Sequence, residues 1–521
     1  MKQPNDLALA FARELKFVRD AAEKQNLADD SLEKLHVATT GAGLTELYET
    51  LRNASENAEE NLLLMHAIRR FFKRAYLTPD FVSSDIGDEL ISELTLAGYL
   101  ENDSVTLKTV TDISKEAREY SSLRDKILQK FPRDVADRWT LDPMSAAIEA
   151  KLRDHTKNAV FADLAYNYFL AAIDADKMFG RGNRPASYEA TLFIAVQQTL
   201  LKADPAAIRL SLITRYQISK THSVDFAKFN TSIDQIFDSP ALDKLNHLID
   251  RNGAPFRILH RAMASDEKLA EHLSSEKTFL GPFDQAISES YATVNKNVNR
   301  GIVRSVVFLI ITKFIIGIAA EVPYDLWVHG AIKWTALIVN LALPPLYMIA
   351  LRLTLFMPDV RNTRALNREI SRILFAPVPE KPFLGKKKAR VFGASYNLIY
   401  GLMILAVFAG VAWLLMRYAQ FEWIHLVIFF IFISTASFLG FRLSRSIREI
   451  EVGDEAQTSV TMLRDFIYMP FVAVGRSISE TYSKLNIVSR FLDMFVELPL
   501  KTILGFVRRW GSFLSAKKDS F

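Results

Sequence analysis

Two polar side chains sit inside long apolar runs and could do chemistry there. Lys313 lies in the run 302–320 and Asn340 in the run 332–357. At 1.5 Å per residue, Lys313 is about 12 Å from Glu321 at the end of its run, and Asn340 is about 10 Å from Lys333 at the start of the next. Antiparallel neighbours would hold the two at similar depth. Pro344 and Pro345 follow on the second run. Neither has an amide hydrogen, so the carbonyls of Asn340 and Leu341 lose their helical partners. An ammonium, a carboxamide and two freed carbonyls converging in a bilayer suit two roles. Lys313 either donates to the freed carbonyls and clamps the two helices together, or the group lines an ion or substrate path.

Other combinations carry less. Glu-x-x-His spacing occurs at Glu33/His36 and at Glu422/His425. A carboxylate-bridged two-metal site needs both motifs in one bundle, and the topology derived below puts them on opposite sides of a membrane. Asp174-Ala-Asp176 begins like a calcium loop but lacks the glycine and the closing glutamate that such a loop requires. Cysteine is absent from the sequence, which excludes thiolate catalysis, disulfides and cysteine-ligated metal. No HExxH, GxxxxGK[ST] or GxSxG motif occurs, and the Thr40–Gly43 turn has no preceding strand. The expectation is a chain with no catalytic residue, no metal and no cofactor.

The elements that must position Lys313 and Asn340 follow from hydropathy and charge. Four stretches approach the roughly 20 apolar residues needed to cross about 30 Å of hydrocarbon: span one at about 302–320, span two at 332–357, span three at 395–416 and span four at 422–441. In span one, the Ile, Val, Leu and Phe residues outweigh the opposing Arg304 and Lys313. Residues 322–331 carry no Lys or Arg, and Arg417 is the one basic residue between spans three and four. The 358–394 loop is different: it holds Arg361, Arg364, Arg368, Arg372, Lys381, Lys386, Lys387, Lys388 and Arg390. Lys296 and Arg300 precede span one, and Arg442, Arg445 and Arg448 follow span four. Every basic cluster thus falls on one side. The positive-inside rule then predicts a multi-pass protein of the cytoplasmic membrane with both termini cytoplasmic. Trp327, Trp334, Trp413, Tyr418 and Trp423 fall near the opposite interface as an aromatic belt.

The predicted fold is all-α: a cytoplasmic multi-helix domain, a four-helix transmembrane region and an amphipathic helical tail. Residues 1–180 read as one helical subdomain and 181–300 as a second, ending in a linker helix from about Pro282 to Arg300 that feeds span one. Helices are expected at Asp85–Ala97, Leu107–Phe131, Pro143–His155, Phe161–Ala175, Tyr188–Lys202, Pro205–Thr214, Asp225–Phe237 and Ser239–Asp250. Residues 301–441 form the transmembrane region and 442–521 the tail, which Pro470 and Pro499 divide into three helices. The last tail helix, Leu500–Lys517, pairs an apolar side with Arg508 and Arg509, the composition of a helix lying on an anionic leaflet. Lys386, Lys387, Lys388 and Arg390 are candidate lipid-headgroup contacts for the same reason. Ala406 and Gly410 on span three, with Ser434, Thr435, Ser437 and Gly440 on span four, read as a close-packing hairpin.

Tyr48-Glu49 with Leu51-Arg52-Asn53, Glu60–Leu63, Ala67–Arg70, Leu192–Asp204, Glu321–Asp325, Asn340–Pro345, Glu497–Lys501 and Trp510 form a set of segments. Together they resemble an uncharacterised family of bacterial integral membrane proteins with a cytoplasmic helical N-terminal domain. The resemblance implies a bacterial membrane setting and brings no activity or site residue. The leading expectation is a membrane-anchored interaction or scaffold protein; its partners are the lipid bilayer and another protein or a second copy, without nucleic acid. The alternative is a channel or transporter, or a regulatory subunit of one, using the polar cluster of spans one and two.

Overall fold

The computed structural model describes residues 2–29, 31–37, 62–76, 85–180, 182–185, 187–377, 394–453 and 459–485. Lys386, Lys387, Lys388, Arg390, Arg508 and Arg509, the Leu500–Lys517 helix, the Thr40–Gly43 turn and the Tyr48–Asn53 segment lie outside the described residues. The fold is all-α, with no strand among the described residues. An isolated antiparallel bridge joins Lys34 and Thr106.

The chain divides into two compact units. One comprises the residues up to Ala8, Ala171–Met178 and Asp250–Leu485; the other contains Leu9–Leu170 and Phe179–Ile249. Sequence reading places a subdomain boundary at 180, but the structure joins segments from both sides of it in one core. Side-chain pairing is the reason. Arg69 holds Asp142 at 3.0 Å and Asp204 at 3.2 Å. Arg209, almost fully buried, holds Asn230 Oδ1 at 2.6 Å and Asp234 at 2.5 Å, while Trp139 Nε1 donates to the same Asp234 at 2.9 Å.

The helices of this unit follow the expected apolar spacing. Leu107–Leu128 is capped by Thr106, whose hydroxyl accepts from Thr109 N. Pro205–Arg215 starts with proline in its first turn behind the N-cap Asp204, a pairing in which the missing amide costs nothing. Tyr120, Phe72, Phe226 and Ile148 fill the core between helices. One start differs: Pro143 lies inside a helix that runs Arg133–Leu152, and the side chains of Thr140 and Ser145 bond back to the carbonyls four residues earlier.

In the other unit, four helices among the described residues are long and apolar enough to cross a membrane. The linker helix and span one are continuous: Glu276–Ile316 runs into a π-helical turn, Gly317–Glu321, and on through Val322–His329. Sequence reading ends span one at residue 320, because Glu321, Pro323 and Asp325 suit lipid poorly. The helix carries on because protein, not lipid, surrounds those carboxylates. Spans two, three and four are Trp334–Leu353, Ala394–Ala419 and Trp423–Arg448. Trp327, Trp334, Trp413, Tyr418 and Trp423 are all exposed, as a belt requires.

The small residues of span four pack on span two and the tail helix rather than on span three as the hairpin expectation had it, and a Cβ on Gly410 of span three would meet nothing within 4 Å. A Cβ on Gly440 would lie 2.0 Å from Leu351 Cδ2, and one on Gly301 2.5 Å from Leu443 Cδ2. At the Arg352 end, the Arg352 guanidinium bonds Asn299 at 2.6 Å and Asn295 at 2.9 Å, tying span two to the long helix. The helix Val360–Phe375 buries Leu366, Ile370 and Leu374, and Asn5 donates to the carbonyls of Ile373 and Ala376 beyond its end. Pro470 does not end the first tail helix, which runs Ser459–Leu485. Its Phe471 lies against Phe408 of span three and Phe430 of span four, and a Cβ on Gly475 would sit 2.1 Å from the carbonyl oxygen of Ser434.

Candidate functional site

Lys313 and Asn340 do converge, and the group that joins them is Glu321. Lys313 Nζ donates to Glu321 Oε1 at 2.8 Å, and Asn340 Nδ2 donates to the same oxygen at 3.0 Å. Asn340 Nδ2 also lies 3.3 Å from the carbonyl oxygen of His425 on span four. All four side chains are at most 2% exposed. Lys313 is not aimed at carbonyls freed by proline, as the clamp expectation had it; its long stem carries the ammonium up the helix to a carboxylate, over the Phe432 ring at 4.8 Å. Pro344 and Pro345 are buried one turn further along span two and contribute by leaving the Asn340 carbonyl without an intrahelical amide.

The π-helical turn sets this geometry. Val322 donates its amide to Gly317 O, five residues back. Pro323 explains the widening: its ring would press on the Ala319 carbonyl in a regular helix. The extra residue in the turn helps swing Glu321 onto the same side as Lys313, eight positions earlier. Asp325 follows one turn later and is also buried.

Asp325 links the cluster to the end of the spans near Glu422. Its Oδ2 accepts from Lys333 N at 2.9 Å, and its Oδ1 is 3.5 Å from His425 Nε2. His425 Nδ1 accepts from the Glu422 backbone amide at 3.4 Å, within a reciprocal capping box at the start of span four. That acceptance assigns the imidazole proton to Nε2, the nitrogen facing Asp325. Glu422 itself binds the Lys333 ammonium, the His329 ring at 2.8 Å and the Tyr324 hydroxyl at 3.0 Å. These last groups are part-exposed, so a chain of polar groups leads from the surface at this end to Lys313.

Towards the other end the chain stops. Leu309, Met348, Ile428, Phe432 and Ala436 form an apolar core there, flanked by a hydrogen bond from Ser437 to the Tyr347 hydroxyl at 3.0 Å. The polar atoms left over collect in the cluster. Glu321 Oε2, Asp325 Oδ1, Asn340 Oδ1 and His425 Nε2 are buried and make no hydrogen bond among the described residues. Buried polar atoms without partners are rare in folded proteins, and four neighbouring residues supply them here.

Sequence reasoning missed Glu321, Asp325 and His425. The first two lie beyond the hydropathy break, and the third reads as half of a Glu-x-x-His pair. One signal was present: Glu321 and Asp325 are four residues apart, on one helix side, directly after a run that already holds a lysine. The Glu422/His425 pair proves to be a helix cap, and among the described residues no group of three His, Cys, Asp or Glu is placed to hold a metal.

No family model, curated protein or solved structure matches this chain.

Proposed function

We propose that this chain is an ion-coupled membrane protein, a transporter or channel or the regulatory subunit of one, and that its ion-handling element is the cluster of Lys313, Glu321, Asp325, Asn340 and His425. One observation carries the proposal: five buried polar or ionisable side chains from spans one, two and four adjoin one another, with polar atoms unpartnered in four of them. Ionisable groups at bilayer depth are costly, and they mark ion paths, relays and counter-ions. A π-turn and a double proline interrupt the two helices at the same place, which is how discontinuous helices expose polar backbone to a site. The polar route from the Glu422 end and the apolar closure beyond Phe432 fit a site open to one side at a time. In this proposal the N-terminal half and the basic 358–394 loop are cytoplasmic by the positive-inside rule, and the Glu422 end faces away from the cytoplasm. The test is ion flux in vesicles containing the full chain. Flux that Glu321→Gln abolishes supports the reading; flux equal in both proteins, each shown to be folded, contradicts it.

A second reading, membrane-anchored interaction, has its own observation. Gly475 abuts Ser434, about 16 Å along span four from Trp423 at 1.5 Å per residue. Arg476 follows directly and pairs with Glu480 at 2.6 Å, both side chains more than half exposed. A charged pair at that depth faces protein more readily than lipid. On this reading the chain associates with a second copy through the Ser459–Leu485 helix. Crosslinking of single-cysteine variants at Ser477 in native membranes tests it: crosslinked dimers are expected, and monomers only would contradict it.

A further inference from the structure

We infer that the Asp325–His425 pair is a proton-binding site, and that a proton is the ion the cluster takes up. This rests on the ion-coupled reading above and names its ligand. Lys313 is matched by Glu321, and Lys333 is matched by Glu422, which also holds His329 and Tyr324. On span three, Arg417 is turned over the Tyr418 ring at 5.7 Å and Asn340 of span two is neutral. With its proton on Nε2, His425 is neutral too. Asp325 therefore leaves the buried cluster with one unmatched negative charge, held by a single backbone amide at 2.9 Å. An unmatched charge at 1% exposure is strongly disfavoured.

A proton removes that charge without any co-reactant. It binds either at Asp325 Oδ1, forming the carboxylic acid beside Nε2, or at His425 Nδ1, forming an imidazolium paired with the carboxylate. Both atoms belong to one pair 3.5 Å apart, and either uptake brings the cluster to neutrality. A metal ion is a poorer occupant, because no group of three His, Cys, Asp or Glu side chains converges among the described residues. The Nδ1 alternative has a mechanical consequence. Protonated Nδ1 can no longer accept the Glu422 amide, so the cap of span four opens. Proton uptake would then be felt at the rim formed by Glu422, Lys333 and His329.

The test is infrared difference spectroscopy with nitrogen NMR on the full chain in lipid vesicles, stepping from about pH 8 to about pH 5, the range that brackets an ordinary imidazole. Appearance of a carboxylic acid band lost in Asp325→Asn, or of an imidazolium signal lost in His425→Gln, supports the assignment. Absence of both signals in the native protein overturns it, as does persistence of the signal in both variants. Vesicle flux separates this from the broader reading. Flux of sodium or potassium without a proton signal overturns the proton assignment and keeps ion coupling; a proton signal without any flux keeps the site and overturns transport.

Discussion

Lys313 Nζ and Glu321 Oε1 lie 2.8 Å apart, eight residues along one helix and both buried to within 2%. A regular helix brings neighbours of three or four positions together, not eight. The pair exists because the Lys stem is long and the Gly317–Glu321 turn is widened. A buried ion pair is weak evidence for stability as such, since its desolvation offsets most of its attraction. Breaking it one-sidedly is another matter. Lys313→Leu leaves the Glu321 carboxylate alone and is expected to cost about 3–5 kcal/mol. The double change Lys313→Leu with Glu321→Leu is expected to recover to within about 1 kcal/mol of the native protein. Thermal unfolding of the native protein and the two variants in one detergent checks this; equal losses in the single and double variants would show that the pair is not coupled.

Three glycines make a graded packing prediction. A Cβ on Gly475 meets the Ser434 backbone at 2.1 Å, one on Gly440 meets the end of the flexible Leu351 side chain at 2.0 Å, and one on Gly410 meets nothing within 4 Å. Backbone cannot give way as a leucine methyl can. Gly475→Ala is expected to destabilise by about 1–3 kcal/mol, Gly440→Ala by less, and Gly410→Ala to within about 0.5 kcal/mol of neutral. Melting temperatures in the order Gly475, Gly440, Gly410 from lowest to highest would agree. A Gly475→Ala protein as stable as Gly410→Ala would show that the Ser459–Leu485 helix does not pack on span four.

Asp204 gives a pH prediction in the other unit. Burial raises its pKa, but the hydrogen bond to His66, the Arg69 charge and the Ala206 amide outweigh burial and bring it down to about 2. The folded pKa lies below the ordinary aspartate value of about 3.9, so its contribution is present above that value and is lost as pH falls towards 2. The contribution at neutral pH is about 2 kcal/mol. Hydrogen exchange of the Pro205–Arg215 amides should accelerate between about pH 4 and pH 2 beyond the intrinsic trend, and Asp204→Asn should show the faster exchange already at neutral pH. A native protein and an Asp204→Asn protein with the same protection throughout would contradict this.

Much of this architecture is legible in the residues. Lys313 and Asn340 stand out because apolar runs surround them, and the four spans follow from length and hydropathy. Glu321 and Asp325 were hidden for the opposite reason. They lie where the apolar run ends, and hydropathy cannot tell a helix leaving the membrane from one whose carboxylates are buried by neighbours. Arg209 and Asp234 show the same limit in the other unit. Their pairing joins segments distant along the chain, and no local pattern announces it. Pro143 and Pro470 mislead as helix boundaries because tertiary packing holds both helices through them.

Ion handling by the buried cluster is the central prediction for this protein. The most direct measurement is flux across vesicles containing either the native chain or the Lys313→Leu/Glu321→Leu variant, which should be folded but lack the pair. Ion-driven flux in the native protein and none in the variant is the expected result. Equal flux in both, or none in either under gradients of proton, sodium and potassium, would contradict transport through the cluster.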